Sequence, residues 1–186
     1  MLRFVFSLCL LFACMAPAQA QNAAAEDLVR RMAADVTAQV RKNPELVNSP
    51  SQLAALVDQR LTPRFDFNRI TQMAMGRNWP RASGGEQGQV TAEFSKLLVR
   101  TYSNALASLK DLDVQVRDSR SNSGSDVTVR TQMIGRAKPV AIDYTLSNAS
   151  GGWRVYDVTV EGVSLITAYR DEFNGIVGSS GVPGLI

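Results

Sequence analysis

Residues 127–160 read VTVRTQMIGRAKPVAIDYTLSNASGGWRVYDVTV, and the reading of this stretch decides the fold. Apolar side chains recur at alternate positions: Val127, Val129 and Met133, then Val140, Ile142, Tyr144 and Leu146. A third run follows from Trp153 to Val160. A period of two sends alternate residues to one face of an extended chain, so each run predicts a strand with one face buried. Gly135 to Pro139 and Asn148 to Gly152 supply turn formers between the runs. Just upstream, Val114 and Val116 begin another alternating segment, turned by Ser121 to Ser125. Strands joined by short turns imply an antiparallel meander, here of four strands.

On either side of this meander the period changes to that of a helix. Leu28, Met32, Val36 and Val40 predict a helix over about 24–42, ended by Asn43-Pro44. Ser49-Pro50-Ser51-Gln52 starts a second, because Ser49 can cap and Pro50 suits the first helical position. Its stripe is Leu53, Leu56, Val57 and Leu61. A short third helix from Asp66 to Gly76 carries Phe67, Ile70 and Ala74. Val90, Phe94, Leu97, Leu98, Tyr102, Ala105, Leu106 and Leu109 trace the longest apolar face. Beyond the meander, Leu165, Ile166, Tyr169, Phe173 and Ile176 predict a last helix, with Gly178 to Gly184 as a tail. This order predicts an α+β domain: a helical layer packed on a curved, mainly antiparallel four-stranded sheet, with a C-terminal helix.

Met1–Ala20 has a different character. Arg3 precedes an apolar run from Phe4 to Met15, and Ala18-Gln19-Ala20 has the small-x-small form of a signal-peptidase site. The run falls short of the roughly 17–25 residues that span a bilayer. A signal peptide over residues 1–20, cleaved after Ala20, is therefore expected, leaving residues 21–186 as one domain. Both cysteines, Cys9 and Cys14, lie in that leader, and the chain has no histidine. Ser-His-Asp triads, Cys-His pairs and the common zinc sites are thus unavailable to the remainder. The net charge of +3 includes Arg3, so the remainder carries +2, too little to argue for nucleic acid. No Gly-rich phosphate loop occurs between a strand and a helix.

Several spaced motifs carry more. Arg64-Phe65-Asp66-Phe67 and Met75-Gly76-Arg77-Asn78-Trp79 form a first set, and Phe94 with Leu97-Leu98-Val99-Arg100-Thr101-Tyr102 a second. The third joins Asp143-Tyr144, Gly152-Trp153-Arg154-Val155-Tyr156-Asp157-Val158 and Glu161-Gly162-Val163-Ser164-Leu165 to Tyr169-Arg170 and Phe173. Together they resemble the MlaC, or toluene-tolerance, family over essentially the whole chain after the leader. The resemblance implies a phospholipid carrier of the Gram-negative periplasm with a cone similar to the NTF2-like class. It also implies exchange with an inner-membrane ABC transporter complex and with an outer-membrane lipoprotein associated with porins. No cofactor is implied, only phospholipid as cargo, and a monomer is expected.

Such a carrier has a physical requirement. A buried methylene is worth about 0.8 kcal/mol, so two acyl chains represent roughly 20 kcal/mol of exposure avoided. Only a continuous apolar enclosure offsets that, while the charged headgroup stays at the mouth in water. The expected walls are Phe67 and Ile70 from the third helix, Leu98 and Tyr102 from the long one, and Val129, Ile142 and Tyr144 from the sheet. Val163 and Ile166 are expected at the rim. Each of these positions also suits an ordinary core. Asp157 and Arg170 invite a buried pair fixing the last helix, Trp79 and Trp153 core packing or a headgroup seat, and Arg77 and Arg100 a phosphate contact. The rival reading is a small enzyme using a pocket carboxylate, with Asp143 or Asp157 as its acid.

Overall fold

The alternating stretch folds as its register requires. A computed structural model of the chain describes residues 16–106, 111–122, 124–135, 138–148 and 151–186. Of the expected leader, residues 1–15 lie outside these, as does Leu109. Strands β1 (Asp113–Ser121), β2 (Asp126–Ile134), β3 (Val140–Ser147) and β4 (Arg154–Val160) pair antiparallel, each with its chain neighbour. A two-residue β5, Val163–Ser164, extends the expected four strands to five. Periodicity cannot detect an element that short.

Two irregularities shape the sheet. In β1 the register shifts between Val116 and Asp118, leaving Arg117 as an extra residue. In β4, Leu146 pairs with Val155 and Thr145 with Asp157, so Tyr156 is extra. Each insertion bends its strand and increases the local twist. The turn after β2 needs Gly135: its φ is 108°, and a Cβ there would lie 2.8 Å from the Asp111 carbonyl oxygen. The β4–β5 turn places Glu161 at φ 49° and Gly162 at φ 85°, the two positive angles of a type I′ hairpin. Glu161 offsets its strained backbone by bonding Ala141 twice, through its own N–H (3.0 Å) and its carboxylate (2.6 Å).

Five helices accompany the sheet: α1 (Ala16–Lys42), α2 (Pro50–Arg60), α3 (Phe67–Met75), α4 (Gly84–Leu106) and α5 (Leu165–Ser180). Asp66 caps α3 by accepting from the Arg69 N–H at 2.9 Å, and Ser164 caps α5 by accepting from Thr167 N–H at 3.3 Å. The stripe Ala25, Leu28, Val29, Met32, Val36 and Val40 is buried as α1 crosses β1 and β2. At its start Asn22 and Glu26 accept hydrogen bonds from Ser121 and Ser119 of β1. Helices α3 and α5 pack on each other and lean on β4, while α4 lies against α2 and α3.

Two expectations are corrected. The glycine-rich segment 178–184 is no tail: α5 runs to Ser180, and Val182–Leu185 form a 3₁₀ turn that buries Val182. Asp157 and Arg170 do not pair. Asp157 accepts from the Ser164 hydroxyl at 2.7 Å and the Val158 N–H at 2.9 Å, fastening the start of α5 to β4. Arg170 donates instead to the Met73 carbonyl oxygen at the end of α3, at 3.1 Å.

Candidate functional site

A domain of this size ordinarily has one contiguous core. Here the buried apolar residues form three clusters. The first joins α3, α4 and α5 through Ile70, Met75, Phe94, Leu98, Ile166 and Phe173. The second joins α1 to the sheet through Leu28, Val29, Val127, Val129, Leu146 and Val155. The third, Val36, Val40, Leu53 and Leu112, lies where α1 and α2 meet the start of β1. Leu61 touches the second and third, and Phe65 the first and second. These two residues belong to the segment linking α2 to α3.

Between the clusters an apolar strip of sheet stays half-covered. The register places Val127, Leu146 and Val155 on one rung, Val129, Tyr144 and Val158 on the next, and Thr131, Ile142 and Val160 beyond. All three rungs share the face that receives α1. Along them burial declines: Leu146 and Val155 are fully buried, whereas Tyr144, Val158, Ile142 and Val160 are only half-buried. Among the described residues, helices cover β1, β2 and β4, and none packs comparably on β3.

Tyr144 marks the depth of this strip. Burial pushes its phenol up to about 12. Yet the side chain keeps accessible surface, and among the described residues its hydroxyl donates no hydrogen bond. Tyr144 is thus deeply set and still partly exposed. Tyr156 is also held up to about 12, by burial first and then by its hydrogen bond to Asp126. The sign follows: an unfolded tyrosine ionises near pH 10, so stability is intact below that and lost as pH rises from 10 toward 12. Spectrophotometric titration is expected to show two of the four tyrosines resisting ionisation until about pH 12. All four titrating together near pH 10 in the folded protein would contradict these placements.

The expected wall residues fall in separate places. Phe67, Ile70, Leu98 and Ile166 belong to or pack on the helical cluster, and Phe67 stacks on Phe65 at 5.8 Å. Val129 and Tyr144 belong to the sheet cluster, and Ile142 lies on the half-covered strip outside all three. Tyr102 is 38% exposed and Val163 60% exposed. Burial raises the Tyr102 phenol, with Tyr169 beside it adding to the effect. Leu61, Val158 and Val160 were read from the sequence as helix, motif and strand residues and not as walls; Val158 and Val160 reach the strip through the β3–β4 register, which alternation alone does not specify.

The polar candidates lie apart from the strip. Trp79 and Trp153 are half-buried against the first and second clusters. Arg77 is exposed. Asp143 lies on the opposite face of the sheet, paired in register with Arg130 and Thr159. Burial raises its carboxyl, an effect opposed by Arg130 and reinforced by Asp118. Arg100 stands at a cleft of about 330 Å³ between α4, α5 and the C-terminal turn, floored by Val90, Phe94, Leu97, Phe173 and Leu185. No strand contributes to that cleft. Among the described residues no group of three His, Cys, Asp or Glu side chains is placed to hold a metal ion.

A family model described as MlaC protein matches residues 30–186. The toluene tolerance protein ttg2D of Pseudomonas putida is 27% identical over 150 residues, which cover 79% of this chain and 70% of that protein. The intermembrane phospholipid transport system binding protein MlaC of Haemophilus influenzae is 21% identical over 147 residues, covering 76% and 69%. A solved structure, the phospholipid-binding protein from Ralstonia solanacearum in complex with a phospholipid, superposes with a TM-score of 0.80. It is 36% identical and covers 87% of this chain and 92% of its own.

Proposed function

The chain belongs to the MlaC family, and from that membership we propose a phospholipid carrier that holds acyl chains against the half-covered strip of its sheet. The observation that carries this reading is the strip itself, where Ile142, Tyr144, Val158 and Val160 lie side by side half-buried and, among the described residues, no helix packs on β3 as helices do on its neighbours. Val129 completes the sheet wall. Phe67, Ile70, Leu98 and Ile166 supply the facing helical wall, and Tyr102 and Val163, the exposed pair, stand toward the mouth. The phosphate headgroup remains in water there, because burying it unpaired costs more than leaving it solvated. That the Ralstonia solanacearum relative was solved with a phospholipid supports the cargo class.

The leader pattern in residues 1–20 supports export to the periplasm, with residues 21–186 working there as a monomer. Exchange with an inner-membrane ABC transporter complex and an outer-membrane lipoprotein-porin complex fits such a carrier. A protein without an energy source equilibrates its cargo, so direction comes from these partners. Asp157 is occupied in fastening α5 and Asp143 faces away from the strip, which leaves the carboxylate-enzyme reading without an acid at this site.

Native mass spectrometry of the protein purified from the periplasm is the direct test. The expected spectrum carries one or more phospholipid masses. Val158→Trp is expected to remove most of that lipid with little change in melting temperature, because the indole fills space that the tails occupied. A lipid-free wild type that also extracts nothing from liposomes defeats the proposal.

A further inference from the structure

We infer that Arg69, Asp126 and Tyr156 form a latch between the helical layer and the sheet, which sets how fast bound lipid leaves; this rests on the carrier reading above. Arg69 projects from the first turn of α3, and its Nη2 lies 2.9 Å from Oδ2 of Asp126, the first residue of β2. The Tyr156 hydroxyl donates to the same oxygen at 2.8 Å. The guanidinium carbon stands 3.5 Å from the centroid of the Tyr156 ring, a cation–π contact. One carboxylate, one ring and one cation thus join α3, β2 and β4.

The position of this group gives it leverage. The segment from Leu61 to Arg69 carries the two residues that, among those described, pack against two apolar clusters each, so it ties the helical layer to the sheet. Its contacts with the sheet include the Asp66 N–H, which donates to the Val155 carbonyl at 2.8 Å, and the bridge of Phe65 to Val155. Arg69 lies a few residues beyond them, at the end of the same fastening. Parting α3 from the sheet, which would draw Phe67 and Ile70 away from the sheet wall, breaks the arginine contacts.

Two features make the contact reversible. The Arg69 and Asp126 side chains retain 32% and 18% of their exposure, so the pair is screened and weak enough to open. Ser147 stands opposite Asp126 in the β2–β3 register, and its buried hydroxyl, without a full hydrogen bond among the described residues, lies near enough to help hold the Asp126 carboxyl below its usual range. When the guanidinium swings into water, the carboxylate keeps Tyr156 and has Ser147 at hand. The open state therefore strands no unpaired buried charge. A pin meant only for stability needs no such second donor.

The test uses the protein loaded with a fluorescent phospholipid and mixed with acceptor vesicles of phosphatidylcholine and phosphatidylglycerol. Arg69→Gln and Asp126→Asn are each expected to speed lipid release by roughly two- to fivefold, the range that a part-exposed ion pair implies. Tyr156→Phe keeps the ring and removes only the hydroxyl, so it is expected to give a smaller acceleration. The exchanged pair, Arg69→Asp with Asp126→Arg, is expected to return the rate toward that of the wild type. Melting temperatures recorded alongside separate the alternatives. Lowered melting with unchanged release rates in the single variants overturns the latch. A wild type that never loads lipid overturns the carrier reading and the latch with it.

Discussion

Truncating Leu146 to alanine is expected to lower the unfolding free energy by about 3 kcal/mol, within the range for deleting a buried leucine. Leu146 has no accessible surface, lies between Val127 and Val155 on its rung, and packs in the cluster that α1 closes with Leu28, Val29 and Met32. Neighbours on two strands and a helix cannot collapse together into the space it vacates, so most of the cavity persists. Urea denaturation measures the change directly, as a shift in midpoint at constant slope. Ile142→Ala, two rungs away on the same strand and face, is expected to cost less than about half as much, because Ile142 is already half-open. Equal costs at the two positions would show that the strip is ordinary core.

Ile142→Asp is expected to abolish lipid retention while leaving the fold. The new carboxylate would sit beside Val160 in register and near Tyr144 and Val158 on the adjoining rung. Water can reach it in the empty protein because the strip is only half-covered. Acyl chains would strip that water away, and an unpaired charge against hydrocarbon costs several kcal/mol. Phosphate analysis of the purified variant is expected to find less than about a tenth of the wild-type phospholipid, that penalty being worth more than a factor of ten. Circular dichroism should remain that of the wild type. Full lipid content in a folded variant would place the tails elsewhere, with the cleft between α4 and α5 as the next place to look.

The elements were legible because each expresses one strong period. Alternation from Val127 to Leu146 and helical spacing from Val90 to Leu98 each admit one solution, and the α+β order follows from their sequence. The C-terminal segment was misread for a compositional reason. Gly178, Ser179, Ser180 and Gly181 look like a linker, but Val177, Val182 and Leu185 reach the first cluster and hold the segment in helix and turn. The partners of Asp157 and Arg170 were also hidden. They depend on how β4, α3 and α5 meet, which spacing along the chain does not specify.

For the candidate site, the sequence named residue types and left their roles open. Ile166 and Val163 were both expected at the rim, yet one is buried and the other 60% exposed, because the tight Glu161–Gly162 turn carries Val163 to the edge. Leu98 and Tyr102 lie one helical turn apart, and only the first is buried. A stripe shows which side chains face inward without showing whether atoms or empty space await them. The latch escaped for a further reason: Arg69, Asp126 and Tyr156 lie in three separate elements.

The extra residue in β1 has a consequence for how copies of this protein tolerate one another. The sheet is open, so β1 presents a free row of backbone donors and acceptors on its outer side. A straight strand of this length would invite another chain to pair there. The insertion at Arg117 breaks the regular spacing of that row, and Arg117, Asp118 and Arg120 line it with charge. A neighbouring molecule that tried to extend the sheet would lose its match halfway along and have to strip water from those ions. Such an edge is a poor template for a common ribbon between crowded molecules.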